Sequence, residues 1–263
     1  MKSSKNSFTA AVLLVALLVT QTFATFADTR KDPKKPRLSD DQRIIHVLNR
    51  LGFGARPGDV ERVKAMGLEN YINQQLNPEK ILDTVAENKV KDLGVLTMTT
   101  AELYEKYPQP GMLLRQLQAR GMLAGDLKPD GQNNPPNPQD EKNRQALRDY
   151  YEQNGLMQPQ RIVAELQASR ILRAVYSERQ LQEVMVDFWT NHFNVFANKG
   201  ADRWLLPAYD RDTIRPNALG KFSELLLATA QSPAMLFYLD NFQSVSPDAN
   251  RRAAPSARAA AVV

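Results

Sequence analysis

The chain has 263 residues, of which 43% are hydrophobic and 24% charged, a balance that excludes a disordered protein and suits one large globular domain or two small ones. Its formal charge of +5 is spread among interleaved acids, so no long basic stripe is present and nucleic-acid binding is not expected. No cysteine occurs, which excludes disulfides, thiolate ligands, thiol nucleophiles and a cysteine-linked lipid anchor.

Residues 1–27 read as a secretory signal peptide. "MKSSKNS" supplies two lysines, "FTAAVLLVALLV" a short apolar run, and "TQTFATFA" ends in small residues at Ala24 and Ala27. The run is too short for a comfortable membrane span, which needs about 20 apolar residues. Cleavage after Ala27 is therefore expected rather than an uncleaved anchor. That leaves an exported protein, periplasmic or extracellular, with no stable transmembrane span. A basic linker occupies residues 28–38.

The helical domain is expected over residues 39–243. Ser39 with Gln42 predicts a capping box, followed by Ile44, Val47, Leu48 and Leu51 at helical spacing, with Gly52 as a left-handed stop. Asp59 is expected to cap a short helix ending at Met66–Gly67, and Leu68, Tyr71, Ile72 and Leu76 mark the next. Weaker helical signals cover 79–93, 99–106 and 110–124. Residues 126–141, "DLKPDGQNNPPNPQDE", predict a long exposed loop or insertion. Beyond it, Ala164, Ala168, Ile171 and Val175 form one stripe. Ser177 with Gln180 predicts a second capping box, opening a helix that continues to Gly200. Pro216 then marks a helix start, with Leu219, Phe222, Leu225 and Leu226 on one face. Ser232–Pro233 opens "AMLFYLDN", apolar nearly all round and expected at the core. No alternating strand pattern appears. The expected class is all-α, an orthogonal or bundle-like array of helices with one long Pro/Asn-rich loop.

Familiar chemical motifs are missing: the sequence holds no G-x-S-x-G, no Walker loop and no H-E-x-x-H. "GFGARPG" follows a helix, whereas a dinucleotide loop must follow a strand, so it reads as a helix end and a turn. Of two histidines, His46 sits between Arg43 and Arg50 and reads as a boundary residue. His192, inside "DFWTNHFNVF", falls on the helical stripe of Leu181, Val184, Met185, Phe188, Trp189 and Phe196 and is expected to be buried. Two readings follow. A core histidine bonded through its ring N–H would cost about 2–4 kcal/mol on truncation to alanine. A ligand or substrate contact would instead use His192 with Asn191, Asp187 and Trp189 as pocket residues. Asp187 and His192 lie five residues apart and cannot chelate a metal from one helix, so no metal site is assigned and the cofactor is unknown.

Three blocks, "NRLGFGARPGDVERVKAMGLENYINQQL" (49–76), "EVMVDFWTNHFNVF" (183–196) and "RDTIRPNALGKFSELLLATAQSPAMLFYLDN" (211–241), resemble the bacterial domain of unknown function 1800 family. The resemblance implies a helical, exported bacterial protein of uncharacterised activity. It also implies a partner, an exported protein of alkaline-phosphatase-like architecture encoded by a neighbouring gene. Members commonly carry His where this chain has Asn217, and they continue beyond "FYLDN". The small-residue tail over 244–263 is therefore expected to be a truncated or frameshifted terminus. The leading functional expectation is an envelope or periplasmic interaction or assembly module. The competing one is a cofactor- or metal-dependent enzyme with a pocket around His192.

Overall fold

The computed structural model describes residues 38–122 and 138–245. The signal peptide, all of the linker except its last residue, most of the Pro/Asn-rich loop and residues 246–263 lie outside the described residues. Every regular element described is helical, and no strand occurs among them. The class is all-α.

The chain divides into two units, Met1–Ile44 and Ile45–Val263. In the first, the expected capping box opens α1 (Asp40–Leu51). Ser39 Oγ accepts from the Gln42 N–H at 3.2 Å, and Gln42 Oε1 accepts from the Ser39 N–H at 2.9 Å.

After α1, the second unit holds small helices: α2 (Asp59–Met66), α3 (Leu68–Gln75), α4 (Thr84–Val90), α5 (Thr100–Lys106) and α6 (Pro110–Ala119). Helix α7 (Pro138–Gln153) starts within the segment expected to be loop. Proline supplies a pre-set φ and lacks the amide that a first turn leaves unpaired, so the "NPQDE" end of that segment can open a helix. The left-handed glycine after α1 is Gly54, at φ 116°, rather than Gly52. Gly52 serves close packing instead, because a Cβ there would lie 2.9 Å from Gln180 Oε1. Asp59 does not cap α2. Its carboxylate turns back to the Arg56 N–H at 2.9 Å and pairs with Arg56 and Arg62.

Two long helices carry the centre, α8 (Gln160–Tyr176) and α9 (Gln180–His192). They are followed by α10 (Asp202–Ala208), a π-helical turn (Tyr209–Ile214) and the single turn α11 (Arg215–Asn217). Helices α12 (Phe222–Gln231) and α13 (Pro233–Tyr238) close the fold. The main core gathers Leu166 of α8, Val186 of α9, Val195, Leu206, Tyr209 and Leu225.

On α8 and α12 the buried faces differ from the expected apolar stripes. Helix α8 buries Ile162, Glu165, Leu166 and Ser169, while Ile171 and Val175 are 65% and 49% exposed. Its inner face admits polar groups because they find partners: Glu165 accepts the Val95 N–H and pairs with Arg161. Helix α9 ends at His192, not at Gly200. Had it continued, Val195 would sit about 180° from Val186 on the helix. Breaking the helix lets both valines, 1% and 5% exposed, enter the same core. The second capping box is absent. Ser177 Oγ donates to Asp83 at 2.7 Å, and the Gln180 amide donates to the Ser177 and Ala174 carbonyls. Two donors at the entry to α9 are met from elsewhere in the fold, Asp83 accepting from the Glu178 N–H and Gln75 Oε1 from the Leu181 N–H, while the Arg179 N–H donates to Ser177 Oγ. The helix expected from Pro216 does not run through to Leu226: α11 ends at Asn217 and a new helix starts at Phe222, where Leu225 is buried but Phe222 and Leu226 are exposed. Ser232 does cap α13, accepting from the Met235 N–H at 3.1 Å. That helix, however, buries only Ala234, so it lies at the edge of the core rather than at its centre.

Candidate functional site

Four residues were singled out by the sequence, and the structure divides them into two groups. His192 and Trp189 belong to a cluster of rings at the C-terminal end of α9. Trp189 stacks on Phe193 at 5.9 Å, Phe193 on Phe222 of α12 at 6.3 Å, and His192 lies beside Phe188 at 6.1 Å and edge-on to Trp189 at 5.7 Å. Trp189 is anchored, its Nε1–H donating to the Ala218 carbonyl at 3.0 Å. His192 is exposed, contrary to the expected burial. The break after His192 leaves its ring at a helix end instead of midway along a buried face. Phe188 and Phe222 are also about half exposed, at 52% and 53%. Asn191 is exposed and donates to the Asp187 main-chain carbonyl at 2.9 Å, a bond within its own helix.

Asp187 belongs to the second group, where its carboxylate lies 3.7 Å from Arg170 of α8. Behind it is a buried network that the sequence did not reveal. Arg170 Nη2 donates to Thr190 Oγ1 and to Asp210 Oδ1, each at 2.7 Å. Arg215 Nη1 donates to Glu183 Oε1 at 2.7 Å, and its Nη2 lies 3.8 Å from Asp210. Arg173 reaches the same Glu183 oxygen at 4.0 Å. Glu183 and Asp210 are each 6% exposed.

The π-helical turn makes this arrangement possible. Asp210 and Arg215 are five residues apart and would point about 140° from each other on an α-helix. Bonding of i to i+5 widens the turn and places residues five apart one above the other. Both charges can then face α8 and α9. Burial works against the charge of Arg215, but Glu183, Asp210 and Asp83 outweigh it and raise its pKa. Arg173 goes the other way, its pKa lowered by burial and by the neighbouring Arg215. A cavity of about 200 Å³ opens against this network, lined by Phe53, Ile171 and Val186 on its apolar side and by Arg170, Glu183 and Asp187 on its polar side.

A separate buried acid stands at the start of α10. Asp202 is fully buried, and neither carboxylate oxygen meets a hydrogen-bond donor among the described residues. Burial raises its pKa to about 6, with Lys199 opposing and Asp240 adding to the shift. No group of three or more His, Cys, Asp or Glu able to hold a metal occurs among the described residues. No described helix is long and apolar enough to cross a membrane.

An all-α protein with a buried arginine–carboxylate network beside an exposed ring cluster is thus defined. Residues 46–251 match the family described as "Protein of unknown function (DUF1800)", and the chain belongs to that family. All three sequence blocks that carried the resemblance fall within the match. No curated protein and no solved structure matches the chain.

Proposed function

We propose that the chain is an exported helical module of the bacterial envelope that works by contact with a partner. The observation that carries this reading is the ring cluster on α9 and α12. Phe188 and Phe222 stand half exposed on a platform held by Trp189 and Phe193, and rigid aromatic surface of this kind is typical of the centre of protein contacts. Export rests on the tripartite N-terminus. A photo-crosslinking residue at position 192, expressed in intact cells, tests the contact. A specific crosslinked protein should form, and it should disappear in the Phe188→Ala/Phe222→Ala variant while that variant unfolds at the same temperature as the parent. An undiminished crosslink in the double variant overturns the reading.

One observation favours the alternative of a cofactor- or metal-dependent enzyme. The His192 imidazole is exposed and makes no hydrogen bond among the described residues, so both ring nitrogens are open to a ligand. The cost expected for a buried histidine no longer applies, and His192→Gln should change stability by less than about 0.5 kcal/mol. A folded, abundant His192→Gln protein that loses complementation, at a position where the crosslinking residue still captures its partner, would favour the enzyme. Elemental analysis and an absorbance scan of the purified parent would then identify the metal or chromophore.

A further inference from the structure

The cavity between α8 and α9 is distinct from the ring cluster and combines an apolar wall with an incompletely matched acidic mouth. Phe53 and Ile171, 51% and 65% exposed, form one side, and Val175 extends the exposed apolar strip one turn further along α8. The charged residues that line the cavity are two acids, Glu183 and Asp187, and one base, Arg170, with Arg173, Arg215 and Asp210 behind them. Arg170 is committed to Asp210 and Thr190, and Arg215 to Glu183. With Arg170 hydrogen-bonded to Asp210 rather than to Asp187, the lining acid left with the weakest pairing is Asp187. It is the most exposed acid of the cavity lining, its side chain 54% accessible, and its nearest cation is 3.7 Å away. Glu183 also lines the cavity, and its pairings all use Oε1, leaving Oε2 without a hydrogen bond from the described residues.

We infer that this cavity receives a basic side chain, lysine or arginine, from a protein partner. The aliphatic stem lies between Phe53 and Ile171, and the cationic head reaches Asp187, with Glu183 Oε2 as a second acceptor. An anionic side chain would meet two acids and an arginine that is already paired. The apolar strip of Ile171 and Val175 argues for a protein rather than a free amine, because a protein surface can cover this strip and exclude water around the buried charge pair.

The test uses the purified full chain and fluorescence anisotropy with a labelled trilysine peptide, its Nε-acetylated form and a triglutamate peptide, with unlabelled cadaverine as competitor. Trilysine should bind and weaken with added salt, and the acetylated and glutamate peptides should not bind. Asp187→Asn should weaken trilysine binding about tenfold or more, and Phe53→Ala should also weaken it, while exposed Glu79→Gln should leave it unchanged. The Phe188→Ala/Phe222→Ala variant should bind trilysine like the parent, so failure here is separable from failure of the ring-cluster reading. Preference for triglutamate, equal loss in Glu79→Gln, or no loss in Asp187→Asn overturns the inference. Cadaverine competing as well as the peptide overturns the protein as the source of the amine.

Discussion

Asp202 is the residue whose chemistry is most at odds with its surroundings. An ionised carboxylate with no donor, fully buried, is costly, and burial raises its pKa from 3.8 to about 6. For an acid whose folded pKa exceeds its unfolded value, the cost is absent below the unfolded pKa. It grows as pH rises and is complete above about pH 6. Asp202→Asn removes the charge but leaves a buried amide, so it should stabilise the protein by about 1–3 kcal/mol at pH 8. The gain should shrink to nothing near pH 4. Urea unfolding at the two pH values checks this, and a gain independent of pH would mean that Asp202 is not the titrating group. His192 gives the complementary lesson. Its spacing matched the apolar stripe, yet it is exposed, because the stripe ran past the point where the helix stops.

At the scale of elements, the π-helical turn decides where the charges go. It faces Asp210 and Arg215 toward α8 and α9, and the Arg170–Asp210 and Arg215–Glu183 pairs then tie three segments together. Removing one member of a buried pair leaves its partner's charge uncompensated, at about 3–5 kcal/mol. Arg215→Gln should lose roughly this much, while Arg215→Gln/Glu183→Gln should lose much less than the sum of the two single changes. A double-mutant cycle by chemical denaturation checks the coupling. Additive losses would mean that the two side chains act separately. The start of α9 shows the same dependence on distant parts of the chain. Ser177 and Gln180 have capping-box spacing, but Asp83 takes the hydroxyl and Gly52 lets Gln180 approach closely. A local motif yields where a tertiary partner offers a buried hydrogen bond.

For the whole molecule, the export reading makes a direct prediction. Fractionation followed by mass spectrometry should find a mature chain beginning at Asp28 outside the cytoplasm. An intact chain beginning at Met1 in the cytosol would remove the envelope from the proposed function. The all-α class, the Ser39 and Ser232 caps and the family were all legible along the chain, because helix caps and apolar spacing are short-range signals. The faces that α8 and α12 bury were not legible, whereas Ile44 and Leu48 of α1 and Tyr71 of α3 are buried as their spacing predicts. Ile171, Val175 and Leu226 are apolar yet exposed, while Glu165, Glu183 and Asp210 are charged yet buried. Hydropathy ranks residues by their cost in the absence of partners, and partners come from segments far apart in sequence. The sequence by itself determined the all-α class, several helix starts and the family. Tertiary structure decided the arginine–carboxylate network, the cavity beside it and the exposure of the ring cluster. Each of these depends on which distant side chain meets a buried charge, and on a π-turn that regular helical periodicity does not encode.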